Sequence, residues 1–283
     1  MDLEVDNSFI PKQARIKNED FYGELATSFT KVFIERALDF IPPLVDSSVI
    51  HDNGCGTGVV TQSILSRPST GKVTIKANDL MQGYVDFYSA ELKANQWPAE
   101  VSLMPAEKLS FVDNTFDLSV ANFVLFMTAD DGVPALREMY RVLKQGGAAV
   151  FTAWQYFPAM SGIERANDET RGDDGAKIRS LPEDWKKPSF LASRAELGGF
   201  DQDKITVHTL QQQVPVGDLG SFARTSWSWL GRPEEGWCSD DEENWESAVA
   251  VIEQEWKKSP GFEQLDDGSW VMNCTACVAI AIK

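Results

Sequence analysis

The sequence is short of positive charge, of histidine and of cysteine, and each shortage excludes something. Its 26 Lys and Arg face 43 Asp and Glu, a formal net charge of −17. Such a surface repels phosphate backbones and anionic membranes. No basic patch offsets it, so no nucleic-acid or membrane partner is expected. The densest charge run, 240–243, is acidic and reads as a solvated helix start. The two histidines, His51 and His208, stand in no H-x-x-E motif and no ligand cluster, so no metal site is expected. Four cysteines (Cys55, Cys238, Cys274 and Cys277) make no disulfide framework in a chain of 283 residues. Cys274 and Cys277 match C-x-x-C. However, WVMNCTACVAIAI reads as a strand, on which residues three apart face opposite ways. No apolar run is long enough to span a bilayer. The opening MDLEVDNSFIPKQAR lacks a basic segment followed by an apolar one, which predicts no signal peptide. A soluble, cytoplasmic protein is the expectation.

What the chain does have is alternation. Residues 49–52 form a short apolar, β-branched run, and helical spacing returns over 59–65. Residues 72–78 alternate as a strand, 81–95 read as a helix, and 100–104 and 116–121 as strands. The amphipathic stretch 130–144 predicts a helix stopped by Gly146-Gly147, followed by a strand over 148–154. A helix is also expected over 19–40, ending at Pro42-Pro43. Beyond Trp154 the rhythm breaks: 155–188 is polar with little periodicity. Then come a capped helix over 189–197, a strand over 204–211, helices over 216–230 and 241–258, and a last strand over 270–282. Strands alternating with helices predict an α/β chain, a doubly wound and mostly parallel seven-stranded sheet. We expect a single domain over 1–283. Its parts are a helical lid over 1–45, a core over 48–154, substrate-side insertions over 155–200 and 213–262, and a final strand over 269–283.

The informative stretch is VIHDNGCGTGVV, 49–60. Glycine takes every second position directly after a strand. In open α/β sheets, ligands sit at the carboxyl ends of strands, near the switch point of the strand order. A dinucleotide loop, G-x-G-x-x-G, would need glycine where Val59 stands, and a P-loop would need a lysine that is absent. The stretch is either a tight strand-to-helix turn or a place where a ligand approaches bare backbone.

Asp52-Asn53-Gly54-Cys55-Gly56-Thr57-Gly58 resembles the D-x-G-x-G-x-G loop of class I S-adenosylmethionine-dependent methyltransferases. Four further segments match that family in order, over roughly 48–154. Asp79, ending the second strand, corresponds to the acid that accepts hydrogen bonds from the ribose hydroxyls. Leu80 and Met81 correspond to the apolar cover on adenine. Ala106 and Glu107, ahead of Asp113-Asn114-Thr115-Phe116-Asp117, fall in the adenine-binding segment, although Pro105 replaces its usual acid and Ser110 its usual proline. Asn122 and Phe123 follow the fourth strand, where the family lines its methyl-transfer site. Residues 136–151 match its helix, Gly-Gly turn and fifth strand. Asn53 and Trp154-Gln155 are similar to small-molecule methyltransferases of fungal secondary metabolism.

The resemblance implies a Rossmann-like methyltransferase fold with S-adenosyl-L-methionine as cofactor and S-adenosyl-L-homocysteine as product. It implies cofactor contacts from Asp52, Gly54, Gly56, Gly58, Asp79, Leu80, Met81, Ala106, Glu107, Asn122 and Phe123. Tyr22 joins them from an N-terminal helix closing the site. Phe21, Trp154 and Tyr156 are substrate-side candidates. The acceptor would be a small molecule, through sulfur, nitrogen, oxygen or carbon. A general base is optional, so no catalytic residue is assigned; Glu107, Asp130, Asp131 and the two histidines are the candidates. The N-P-P-Y-type motif of base-methylating enzymes is absent. Two rivals stay open: a pericyclase-like protein that binds the cofactor without transferring methyl, and an interaction protein that does not bind it. A nicotinamide oxidoreductase is disfavoured by Val59.

Overall fold

The computed structural model describes residues 9–15, 28–67, 72–172 and 175–283. The chain divides into two compact units. One draws on Ala26–Gln155, Pro182–Leu210 and Thr275–Lys283, the other on Met1–Leu25, Tyr156–Leu181 and Gln211–Cys274.

The first unit holds most of a sheet, of which the strand Phe262–Gln264, the end of the strand Ile205–Gly217 and the start of the strand Trp270–Ile282 fall in the other unit. Strands β1 (Val49–Asn53), β2 (Thr74–Asp79), β3 (Ala99–Leu103), β4 (Phe116–Asn122) and β5 (Leu143–Tyr156) are followed by β6 (Ile205–Gly217), β7 (Phe262–Gln264) and β8 (Trp270–Ile282). The eight strands follow the order β3-β2-β1-β4-β5-β8-β6, with β7 pairing β8 off this path. β1 runs parallel to both β2 and β4, β2 to β3, and β4 to β5. The chain therefore winds one way from β1 to β3 and the other way from β4 to β5. That reversal puts the switch point at the carboxyl ends of β1 and β4, where a ligand crevice forms. The strands are apolar because both faces are covered. Ile34, Ile50, Ile64, Leu118, Val150 and Val278 form one fully buried cluster around them. Register sets the crevice, with Asn53 opposite Asn78 and Asp79 opposite Leu103.

Several sequence expectations are corrected. The helix expected over 130–144 runs only from Val133 to Val142. It starts late because Asp130 and Asp131 take left-handed φ values of 48° and 50°. It ends early because β5 already pairs at Leu143, opposite Phe116, before a register shift. Gly146-Gly147 therefore lies inside a bulged strand and is no helix stop. The stretch 155–188 holds the helix Ala159–Arg171. The helix expected over 216–230 begins at Leu219, after the Asp218 side chain accepts the Ser221 N–H. The helix expected over 241–258 is two, Ser239–Glu243 and Trp245–Lys258.

The second unit packs the helices Ala159–Arg171, Leu219–Leu230 and Trp245–Lys258. Gly162 lets Trp256 lie against its helix; a Cβ there would stand 2.5 Å from Trp256 Nε1, which donates to the Ala159 carbonyl at 3.1 Å. At the end of the first of these helices, Arg171 is buried. Its Nε donates to Asp241 Oδ1 at 2.8 Å, and its other nitrogens donate to Asn167 Oδ1 and the Gly231 carbonyl. Its guanidinium also lies 4.8 Å from the Trp227 ring centre. Removing one partner strands a buried charge, which typically costs ~3–5 kcal/mol. Arg171→Met is therefore expected to lower unfolding free energy by about that amount in urea titration. A loss under about 1 kcal/mol, the level of exposed pairs, would contradict this account.

Candidate functional site

The site begins where β1 ends. The next helix, Val59–Leu65, starts only after five residues of turn, in which Gly54, Gly56 and Gly58 take φ of 73°, 49° and 83°. These left-handed values strain any residue with a Cβ. The three glycines differ in their surroundings. A Cβ on Gly54 would stand 2.6 Å from Val124 Cγ2, and one on Gly58 2.8 Å from the Trp97 ring. Those two positions are closed by the protein's own packing. A Cβ on Gly56 would meet nothing within 4 Å among the described residues. At Gly56 the backbone lies bare toward open space, which suits close approach of a ligand.

Asp79 ends β2 and faces this turn. Its Oδ2 accepts the Gly56 N–H at 2.9 Å and its Oδ1 accepts the Met81 N–H at 3.0 Å. The Leu80 N–H acts on the carboxylate as a third backbone donor, and of its four lone-pair sites one is left for an outside donor. Burial raises its pKa, against the backbone N–H bonds that lower it. Asp52 lies deeper. Thr61 Oγ1 donates to Asp52 Oδ2 at 2.8 Å and also lies 2.7 Å from the Tyr88 hydroxyl. Asp52 Oδ1 is buried without a partner among the described residues. Desolvation pushes the Asp52 carboxyl up to about 7, and the charge of Asp79 adds to the shift.

Around Asp79, Leu80 and Met81 are 55% and 46% exposed, two large apolar side chains presented beside a buried acid. Ala106 is buried. The Glu107 carboxylate accepts the Ala129 N–H at 3.1 Å, which ties the segment after β3 to the turn after β4. At the end of β4, Thr152 of β5 donates to Asn122 Oδ1 and accepts the Phe123 N–H. Phe123 is held there with φ of 58°, a strained conformation for an aromatic residue. Its ring stacks on Trp154 at 4.0 Å, and Phe33 meets Trp154 edge-on at 5.4 Å.

Sequence reasoning missed Phe33 and Trp97. An apolar residue carries no signal that it will pack against one particular glycine or ring. Tyr156 is 44% exposed and belongs to the other unit. Phe21 and Tyr22, with the helix start expected near 19, lie outside the described residues. His51 is fully buried, and His208 stacks on Phe40 at 3.9 Å. Asp130 and Asp131 lie on the strained turn after β4. Among the described residues, no group of three or more His, Cys, Asp or Glu could hold a metal. No described helix is long and apolar enough to cross a membrane.

These residues fit the cofactor implied by the sequence. A bare backbone, a buried carboxylate with free acceptor capacity and an unpartnered buried carboxylate oxygen suit a guest that carries hydroxyl donors and positive charge.

Comparison with known proteins agrees. A family model described as "Methyltransferase domain" matches residues 51–151. "Methyltransferase tpcH" from Aspergillus fumigatus is 24% identical over 187 residues, covering 62% of this chain and 65% of its own length. "Probable methyltransferase ltbC" from Aspergillus luteorubrus is 27% identical over 226 residues, covering 74% of this chain and 75% of its own length. The chain thus spans about two thirds of the length of the first relative. A crystal structure titled as the [4+2]-cyclase SpnF shares the fold, with a TM-score of 0.53 and 16% identity, covering 89% of this chain and 80% of that one.

The raised pKa of Asp52 has a sign. In the unfolded chain the group ionises near 3.8, and in the fold near 7. Its stabilisation is full below the lower value and is lost as pH rises through the upper one, by a few kcal/mol at most. Asp52→Asn should flatten the fall of stability between about pH 4 and pH 7 in urea unfolding. An unchanged slope would contradict the assignment.

Proposed function

We propose, on the premise that the chain belongs to the class I S-adenosylmethionine-dependent methyltransferases, that it methylates a small-molecule acceptor of natural-product type. The observation that carries this reading is the pairing of Gly56 with Asp79. An open, bare backbone position is held by the same buried carboxylate that has acceptor capacity to spare.

S-adenosylmethionine supplies, when bound, a methyl carbon made electrophilic by its sulfonium. The residues of this chain bind and orient. Asp79 would accept a ribose hydroxyl, a charge-assisted contact. Gly56 would let the amino-acid end lie along the loop, above Asp52, while Gly54 and Gly58 give the turn its path. Leu80 and Met81 would cover one face of the adenine, with Ala106 and Glu107 beyond it. Asn122 and Phe123, backed by Trp154, would wall the reacting end and keep water out. Alignment of two bound partners alone can be worth effective molarities on the order of 10⁵ M. In-line displacement then needs a base only for acceptors that hold their proton tightly. Sulfur, nitrogen, oxygen and carbon acceptors all fit this scheme.

Two observations support a small acceptor: the aromatic wall and the charge of −17, which disfavours nucleic acid. A second reading is a protein of this fold that binds the cofactor and transfers no methyl. Its support is that a structure titled as a cyclase shares the fold.

Calorimetric titration with S-adenosylmethionine and S-adenosylhomocysteine tests the proposal. Both should bind in the micromolar range. Asp79→Ala should lose about 1.5–3 kcal/mol of binding free energy, the range for a hydrogen bond to a charged group. Unchanged affinity in Asp79→Ala would remove the central assignment. Binding of both ligands without methyl transfer to any acceptor class would favour the second reading.

A further inference from the structure

In a sheet covered on both faces, strand interiors are expected to be apolar. Across β4, β1 and β2 this one carries a line of polar side chains instead. Ser119, His51, Asn53 and Asn78 are all fully buried. His51 Nδ1 lies 2.9 Å from Ser119 Oγ, and His51 Nε2 lies 2.7 Å from Asn78 Oδ1. Asn78 Nδ2 donates to Asn53 Oδ1 at 2.9 Å and to the Met104 carbonyl at 3.1 Å. With both acceptors on its nitrogen, the orientation of the Asn78 amide is fixed. His51 must then donate through Nε2 and accept the Ser119 hydroxyl at Nδ1. Burial holds the ring neutral, with its pKa lowered to about 4.

The backbone of the same residue continues the pattern. The Asn78 carbonyl accepts both the Gly54 and the Cys55 N–H, at 2.9 Å each. The neighbouring Asp79 carbonyl accepts the Met104 N–H at 2.9 Å. One residue thus reaches the glycine turn after β1, the acid that ends β2, and the turn after β3 that opens at Pro105. The line is not tuned for stability, because Asn53 Nδ2 is buried without a partner among the described residues. Unmet buried donors are costly, and they persist where a site requires the arrangement.

We infer that Asn78 is the positioning residue of the cofactor site, with its side chain locked by His51 and Ser119 so that three separate loops keep one geometry. It acts through those loops and touches no reacting atom. The inference rests on the methyltransferase reading for what the loops bind, but not for their geometry.

The test therefore has two arms. In the first, hydrogen exchange is followed in the ligand-free protein. In Asn78→Leu, the Gly54, Cys55 and Met104 amides should exchange at least about tenfold faster, while Ile50 and Val120 stay protected. In the second, the S-adenosylhomocysteine dissociation constant should rise at least about tenfold in the same variant. Unchanged exchange at those three amides would overturn the inference, whatever the ligand does. A wild-type protein with protected loops and no binding would instead overturn the methyltransferase reading, leaving the first arm to judge the inference. If Asn78→Leu does not fold, His51 carries the same test. His51→Gln keeps an N–H for Asn78 Oδ1 and should stay within about threefold of wild type in both arms, whereas His51→Leu should not. Equal behaviour of the two His51 variants would count against the lock.

Discussion

The turn between β1 and the helix after it crosses the left-handed region three times within five residues, at Gly54, Gly56 and Gly58. The site depends on that path. It brings the Gly56 N–H to Asp79 and the Gly54 and Cys55 N–H groups to Asn78, so the loop is fastened to β2 at successive residues. It also decides what surrounds each glycine. Val124 closes on Gly54 and the Trp97 ring closes on Gly58, which leaves the middle position bare. The glycine pattern thus has two origins. The outer two make room for the protein's own side chains, and the central one leaves room for a guest.

Around that turn, burial works on charge. Asp52 and Asp79 both have raised pKa values, and in both cases desolvation is the main cause. Two acids held in a low-dielectric pocket resist losing their protons, and the charge of Asp79 adds to that resistance at Asp52. A cationic guest relieves both terms at once. The sulfonium and ammonium groups of S-adenosylmethionine are such charges. The acidity of the whole chain points the same way, favouring cations at long range and disfavouring phosphate polymers.

The strand-helix alternation over 49–154 made the parallel sheet legible, because buried strands and amphipathic helices carry different periods. The glycine turn was legible as a break directly after a strand, and Asp79 was legible through the resemblance to the methyltransferase family; the structure brings the two together. Boundaries were less so. The strand start at Leu143 was hidden by a bulge that looks like a glycine helix stop, and the start of the preceding helix at Val133 was hidden by left-handed Asp130 and Asp131. The helix Ala159–Arg171 was hidden because its apolar face is carried by small residues, Ala159, Gly162 and Ala166, with Ile163. The aromatic group of Phe33, Phe123 and Trp154 could not be read at all, since it joins residues far apart in sequence by packing alone. The Asn78 line left only a faint trace, polar residues inside runs that otherwise read as buried strands.

The central claim is that the loop after β1 receives the adenosyl cofactor. Backbone amide resonances of uniformly ¹⁵N-labelled protein, followed during titration with S-adenosylhomocysteine, test it most directly. The account predicts saturable shifts largest at Gly54, Gly56 and Gly58 and at the amides of Leu80 and Met81. Shifts centred elsewhere, for example on the groove lined by Phe40, Lys204 and His208, with the glycine amides unmoved, would contradict it.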